Sequence, residues 1–396
     1  MNRRIYVKKL QNMDYELALR YFIPDVRDGL TLLERRLIYA LHEMKILPEA
    51  PDRKSITVIS QAMSYVDRNE EKDLDLFYDA LLWLVKGSDC KYPLVDGVGS
   101  FDEMDYDDDT IRKTFVKMTP YAVEMLKGLE KDAADFEIDE DGEKLCPKVL
   151  PGCFPYLLVH GILGQVNDKI KTISQPLNLS EVIDAIIKVI NEPEITTEEL
   201  SKIIKGPDYP FGGRFVRDEN LLDAYTTGQG YATSRALLTY DAKGNAIIAT
   251  DIIWDGLDFN KEVGKIAEID GVSDVTCESE GEEQKIVIKL CENADADKVK
   301  NEIYEKTILQ AYWPINMYVL VDGKPEILNL REIIDQYLKH QKEVVTRKLQ
   351  FDMKDDSLQV DERELLQIIK LELLDLKARL ADERKTKIVD GIACEG

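Results

Sequence analysis

The sequence predicts an α+β protein. Three observations carry this: apolar stripes of helical period over residues 12–50 and 61–87, β-rich runs within residues 195–330, and two amphipathic helices at the end. A chain of 396 residues with 44% hydrophobic and 32% charged residues is long enough for two or three domains with a real core. We divide it at 1–155, 156–328 and 329–396.

Leu33, Leu37, Leu41 and Met44 share one stripe of the segment from Thr31, while Arg35 and Arg36 point off it. The turn from Pro24 to Leu30 precedes this helix, with Pro and Gly as punctuation. A second helical region ends in the apolar run Phe77–Val85, and Lys91–Phe101 reads as an irregular turn that fails the phosphate-loop spacing. Acids crowd residues 101–110 (Asp102, Glu103, Asp105, Asp107, Asp108, Asp109) and 132–143. They read as solvated loops, with a divalent-cation site or a phosphate mimic as the sharper alternatives, and no EF-hand spacing is present. In the middle, Tyr231–Tyr240, Ala246–Ile253 and Lys285–Leu290 are predicted strands and Ala294–Leu309 a helix. Ile333, Ile334, Tyr337, Leu338, Val344, Val345 and Leu349 form the stripe of the penultimate helix; Leu366, Ile369, Leu373, Leu376 and Leu380 form that of the last. The short linker Asp355–Ser357 predicts antiparallel neighbours.

Charge excludes as much as pattern does. With 52 basic and 76 acidic residues the net charge is −24, so phosphate backbones are repelled unless a locally basic face exists. The six cysteines form no C-x-x-C pair and there are three histidines, which argues against a zinc or histidine-rich metal centre and fits a reducing cytoplasm. No apolar run reaches the roughly 18 residues of a membrane span, and the basic opening lacks the apolar core of a signal peptide.

Several segments, read in order, resemble the breakage–reunion region of the bacterial type IIA topoisomerase A subunit, as in DNA gyrase and topoisomerase IV. They are Pro24–Leu30 with Arg35–Ala40, Leu94–Phe101, Gly206–Pro210, Ala224–Gly230, Ile315–Met317, and Asn329–Ile334 followed by Glu343–Lys348. The resemblance implies a winged-helix DNA-gate domain, an α+β tower domain and a coiled coil. It also implies a tyrosine that attacks a DNA phosphodiester beside an arginine, while Mg²⁺ and ATP belong to a separate B subunit, so no cofactor is expected in this chain.

This chain departs from that pattern in three places. The family's nucleophile follows an arginine as Arg-Tyr-Thr; here Arg112 is kept and Lys113 stands in the tyrosine's place before Thr114. A lysine offers an ammonium rather than a phenolate and cannot form the reversible phosphotyrosyl link. Tyr106 is the nearest alternative, on a loop of carboxylates that repels the scissile phosphate. The His-Pro-His-Gly segment that follows a tyrosine in the family is replaced after Tyr65 by Val66–Glu71. The globular lower dimer gate between the coiled-coil helices has no room in the short linker. The resemblance leaves Arg35, Arg36, Lys54 and Lys91 as DNA-binding positions and Ile173 as the candidate intercalating wedge.

Three readings follow. One is an active topoisomerase subunit. Another is a relative that binds duplex DNA weakly without cleaving it, alone, as a homodimer, or with a B subunit or an intact A subunit. The last is a non-enzymatic acidic protein that modulates a gyrase or topoisomerase IV subunit. The expected identity is an A-subunit-like protein deficient in cleavage through Lys113, with no membrane association.

Overall fold

The computed structural model describes residues 13–67, 72–85, 91–101, 108–139, 141–167, 169–253, 259–280 and 283–390. Among the described residues the first helices are α1 (Tyr15–Phe22), capped by the Asp14 carboxylate, and α2 (Leu32–Glu43), whose Thr31 and Glu34 form a reciprocal capping box. Strand β1 (Arg53–Lys54) leads into α3 (Ser55–Ser64), followed by α4 (Leu74–Val85) and β2 (Val95–Val98). Helix α5 (Asp108–Lys113) runs into β3 (Phe115–Met118). These strands form an antiparallel sheet in the order β1–β3–β2, so the segment expected as an irregular turn at 91–101 contains a strand. The predicted second helical region is two helices.

Helix α6 (Pro120–Leu126) and the hairpin of β4 (Phe136–Ile138) and β5 (Lys144–Pro147) close this first part. Next come α7 (Tyr156–His160), β6 (Ile162–Gln165), β7 (Lys171–Ser174), α8 (Leu179–Asn191) and α9 (Thr197–Leu200). A Cβ on Gly164 would lie 1.9 Å from the Phe22 carbonyl oxygen. Only glycine therefore lets β6 seat on the end of α1.

Beyond these lie β8 (Arg214–Arg217), α10 (Glu219–Thr227) and β9 (Gln229–Arg235). Then follow β10 (Leu237–Asp241), β11 (Ala246–Thr250), α11 (Phe259–Ala267), β12 (Val272–Glu280), β13 (Glu283–Leu290) and α12 (Ala296–Lys306). The chain continues through β14 (Gln310–Asn316), β15 (Tyr318–Val321), β16 (Lys324–Ile327), α13 (Leu330–Met353), α14 (Glu362–Leu380) and β17 (Lys387–Asp390). A six-stranded sheet has the order β17–β8–β9–β14–β7–β6, and a four-stranded one β10–β11–β13–β12. The single strand predicted at Tyr231–Tyr240 is thus two, split at Ala236, where the chain passes between sheets.

Two apolar cores hold these layers. The larger gathers Leu37, Leu81, Val116, Ile183, Phe215, Ile333 and Leu373, drawing on all three predicted segments. The smaller, with Ile247, Ile286, Ile288, Val299 and Ile303, is confined to residues 236–309.

The last two helices do not lie as the antiparallel neighbours the sequence predicts. Lys342 pairs with Glu362 and Lys348 with Glu372, so residue numbers climb together across the contact. The helices cross, and the link between them runs over 354–361. The antiparallel partner of α14 is α8: Lys370 reaches Asn191 and Lys377 reaches Asp184, one number rising as the other falls. After α14 the chain returns to the body, and β17 adds to β8 in parallel.

Candidate functional site

The loop–strand–helix junction around Arg112 and Lys113 is built on buried hydroxyls. Thr114 is fully buried, and its hydroxyl donates to Ser55 Oγ at 2.8 Å, while Ser55 N–H donates to the Thr114 carbonyl at 3.0 Å. This ties the end of α5 to the start of α3. Gly99, at φ +120°, lies against the same turn, and a Cβ there would meet the Lys113 carbonyl oxygen at 3.1 Å. Arg112 and Lys113 are exposed at the end of α5. Lys54 is exposed opposite Phe115, two residues beyond Lys113, with Arg53 beside it opposite Val116. The edge therefore carries Arg53, Lys54, Arg112 and Lys113. On the sheet face shared with Lys54, Lys117 is held between Asp52 at 3.4 Å and Asp96 at 3.8 Å.

The other expected basic positions are elsewhere, for a physical reason. Arg35 is buried and forms a two-pronged ion pair with Asp28, at 2.7 and 2.9 Å, and donates to the Leu30 carbonyl at 3.0 Å. Asp28 also accepts the Leu150 N–H at 2.9 Å, so this pair fixes the Pro24–Leu30 turn. Arg36 has no exposed surface; it donates to Tyr21 Oη at 3.2 Å and lies 3.7 Å from Glu137. Lys91 binds Asp208 at 2.8 Å and the Glu383 carbonyl at 2.7 Å. The expectation of one basic face shared by Arg35, Arg36, Lys54 and Lys91 is corrected: three of the four are interior ties, and Lys54 alone is exposed. Isolated buried cations cost several kcal/mol each, so these three require their acidic partners.

Ile173 is half-buried on β7, between Leu163 of β6 and Asn316 of β14, in a different sheet from Lys54. Tyr106 and the acids from Asp102 to Asp107 lie outside the described residues, as do residues 68–71 of the replaced histidine segment. Tyr65 packs its ring 5.1 Å from Tyr39 and accepts from Gln61 at 3.0 Å.

Sequence reasoning missed Arg53, whose signal was its place beside Lys54 immediately before a helix. It also missed the segment from Asp382 to Thr386. Asp208, within the Gly206–Pro210 motif, is fully buried in a hub: it accepts from Lys91, from Asn178 at 2.8 Å, and from the N–H groups of Lys385 and Thr386 at 3.1 Å each. Arg384 binds Glu181 at 2.6 Å and the Gly206 carbonyl at 2.8 Å.

Comparison with known proteins places the chain in one family. The family model for the DNA gyrase/topoisomerase IV A subunit matches residues 22–387. The DNA gyrase A subunit of Clostridium acetobutylicum is 36% identical over 341 residues, covering 84% of this chain and 40% of that protein. The Staphylococcus epidermidis gyrase A subunit is 34% identical over 355 residues, covering 86% and 39%. That of Metamycoplasma arthritidis is 33% identical over 376 residues, covering 92% and 41%. The chain spans about two fifths of the length of these curated relatives.

Proposed function

This chain belongs to the family of DNA gyrase/topoisomerase IV A subunits, and from that premise we propose that it is an A-subunit-like scaffold that binds duplex DNA without cleaving it. The observation that carries the proposal is the exposure of Lys113 beside Arg112 at the end of α5, read here as standing in the place of the family's tyrosine. Both cations and Lys54 serve phosphate binding, in a winged-helix-like first domain. An ammonium holds a phosphate by charge; it does not displace a DNA oxygen to leave a phosphotyrosyl link. Mg²⁺ and ATP are supplied by a B subunit in this reading, and Ile173 is its wedge against base pairs on the tower-like side.

The test is a cleavage-complex assay with a gyrase-type B subunit, Mg²⁺ and supercoiled DNA. The expected result is no covalent protein–DNA adduct after denaturation, with duplex retained at low salt. An adduct abolished by Tyr106→Phe would show instead that the nucleophile has moved.

One observation favours a second reading, a non-enzymatic acidic modulator of a gyrase or topoisomerase IV subunit. In a chain of net charge −24, Arg35, Arg36 and Lys91 are turned inward, so of the four expected DNA-binding cations Lys54 alone is exposed. Tight binding of an intact A or B subunit by a chain that ignores duplex at every salt concentration would favour it.

A further inference from the structure

Helix α14 carries two apolar stripes. Leu365, Ile369, Leu373 and Leu376 are buried against the body, and Lys370 and Lys377 lie along the border with α8. The second stripe, Gln367, Leu371, Leu374 and Ala378, lies on the exposed side, with Leu371 65% exposed and Leu374 44%. Singly exposed leucines are ordinary on a protein surface. Two of them within a spacing of 4, 3 and 4 residues form a seam, since this is the alternation of a and d positions in a heptad. Leu371 and Ala378 take the a positions, Gln367 and Leu374 the d positions. From Gln367 to Ala378 the seam runs about 17 Å at the helical rise per residue.

The charges beside the seam are sorted by side. The g positions are Arg363, Lys370 and Lys377, all basic; the e positions are Ile368 and Asp375. Lys377 is engaged by Asp184 of α8 at 2.6 Å. Lys370 reaches a neutral partner, the Asn191 side-chain oxygen at 3.0 Å, which leaves its positive charge in place. Asp375 is bound by Arg379 within the helix at 2.8 Å, yet its side chain is 59% exposed.

We propose that a second copy of this chain docks on the seam, with its α14 parallel to the first. In a parallel pair each g side chain faces the e side chain of the other helix in the following heptad. Lys370 of each copy then meets Asp375 of the other, and the stem of Arg363 covers Ile368. The pair is isologous, so one contact generates its twin across the two-fold axis. An antiparallel pair sets g against g, which brings the basic side of one helix against the basic side of the other and separates Lys370 from Asp375. The seam shares no residue with the edge of Arg53, Lys54, Arg112 and Lys113, so self-association and DNA binding are separable.

The experiment is sedimentation velocity on the full chain at low salt. Two heptads bury less than a standard interface, so a monomer–dimer equilibrium with a dissociation constant of roughly 10–100 μM is expected, read over about 1 to 300 μM protein. Leu371→Lys with Leu374→Lys places like charges in the seam and is expected to weaken the dimer at least about tenfold. Both sites are exposed, so the melting temperature should be kept, which controls for folding. Lys370→Glu and Asp375→Lys, each alone, set like charges across the pair and should each weaken it about three- to tenfold. Mixed in equal amounts, these two variants should pair with each other at the parent's affinity, because opposite charges face again in the parallel heterodimer. The proposal is overturned if the chain stays monomeric throughout the range, if the leucine variant associates as the parent does, or if the mixture associates no better than its components.

Discussion

Glu34 and His160 set opposite pH limits on this fold. Burial pushes the Glu34 carboxyl up to about 7 from its ordinary 4.5, against the opposing hydrogen bonds from Thr31. The folded state then holds this proton more tightly than the unfolded one. Its contribution is complete below about 4.5 and lost as pH rises through about 7, on the order of 3 kcal/mol. Glu34→Gln keeps the cap and removes the titration, so its stability relative to the parent should rise between pH 5 and pH 8 in urea unfolding. His160 runs the other way. Buried between Trp83 at 5.1 Å and Tyr156 at 4.5 Å, its imidazole is pushed down to about 4 from its ordinary 6.5. That contribution is complete above about 6.5 and lost as pH falls toward 4, again on the order of 3 kcal/mol. His160→Phe should flatten the acid limb; an unchanged limb would place its origin in other groups. At the junction itself, Lys113→Tyr alone is expected not to restore DNA relaxation, because residues 67–71 offer no histidine. Robust relaxation by that variant would defeat the cleavage-deficient reading.

Among the elements, the segment after α14 does more for the fold than its length suggests. It supplies two backbone N–H groups to Asp208, whose other partners are Lys91 and Asn178. Asp208→Leu leaves the Lys91 ammonium, only 4% exposed, without its carboxylate, which should cost about 3–5 kcal/mol. The double variant Lys91→Met, Asp208→Leu should recover part of that loss, since a buried pair exchanged for apolar groups is often close to neutral. Equal losses in single and double variants, read from denaturant midpoints, would mean that the backbone bonds dominate. Helices α2 and α13 were legible in the sequence because an apolar stripe is a local signal. The crossing of α13 and α14 was not, because contacts with α8, nearly 200 residues away, decide it. Arg35 and Arg36 misled for the same reason. A helical wheel registers a cation; its burial depends on Asp28, Tyr21 and Glu137. Arg112 and Lys113 were legible as neighbours, yet their exposure on one edge with Arg53 and Lys54 required the pairing of β1 with β3.

The whole molecule carries −24 charges, and that sets two salt dependences of opposite sign. Self-repulsion strains the compact state, and added salt screens it over a Debye length of about 8 Å at physiological strength. Resistance to unfolding should therefore rise from low to moderate salt. Duplex binding at the edge of Arg53, Lys54, Arg112 and Lys113 should fall over the same range, with a log–log slope near about −3.6 from four contacts at about −0.9 each. Measuring both on one preparation separates the effects, because a loss of binding caused by unfolding would follow stability, and here the two move apart. A flat binding curve beside rising stability would remove the duplex role and leave the acidic-modulator reading. A slope steeper than about −5 would require cations beyond these four.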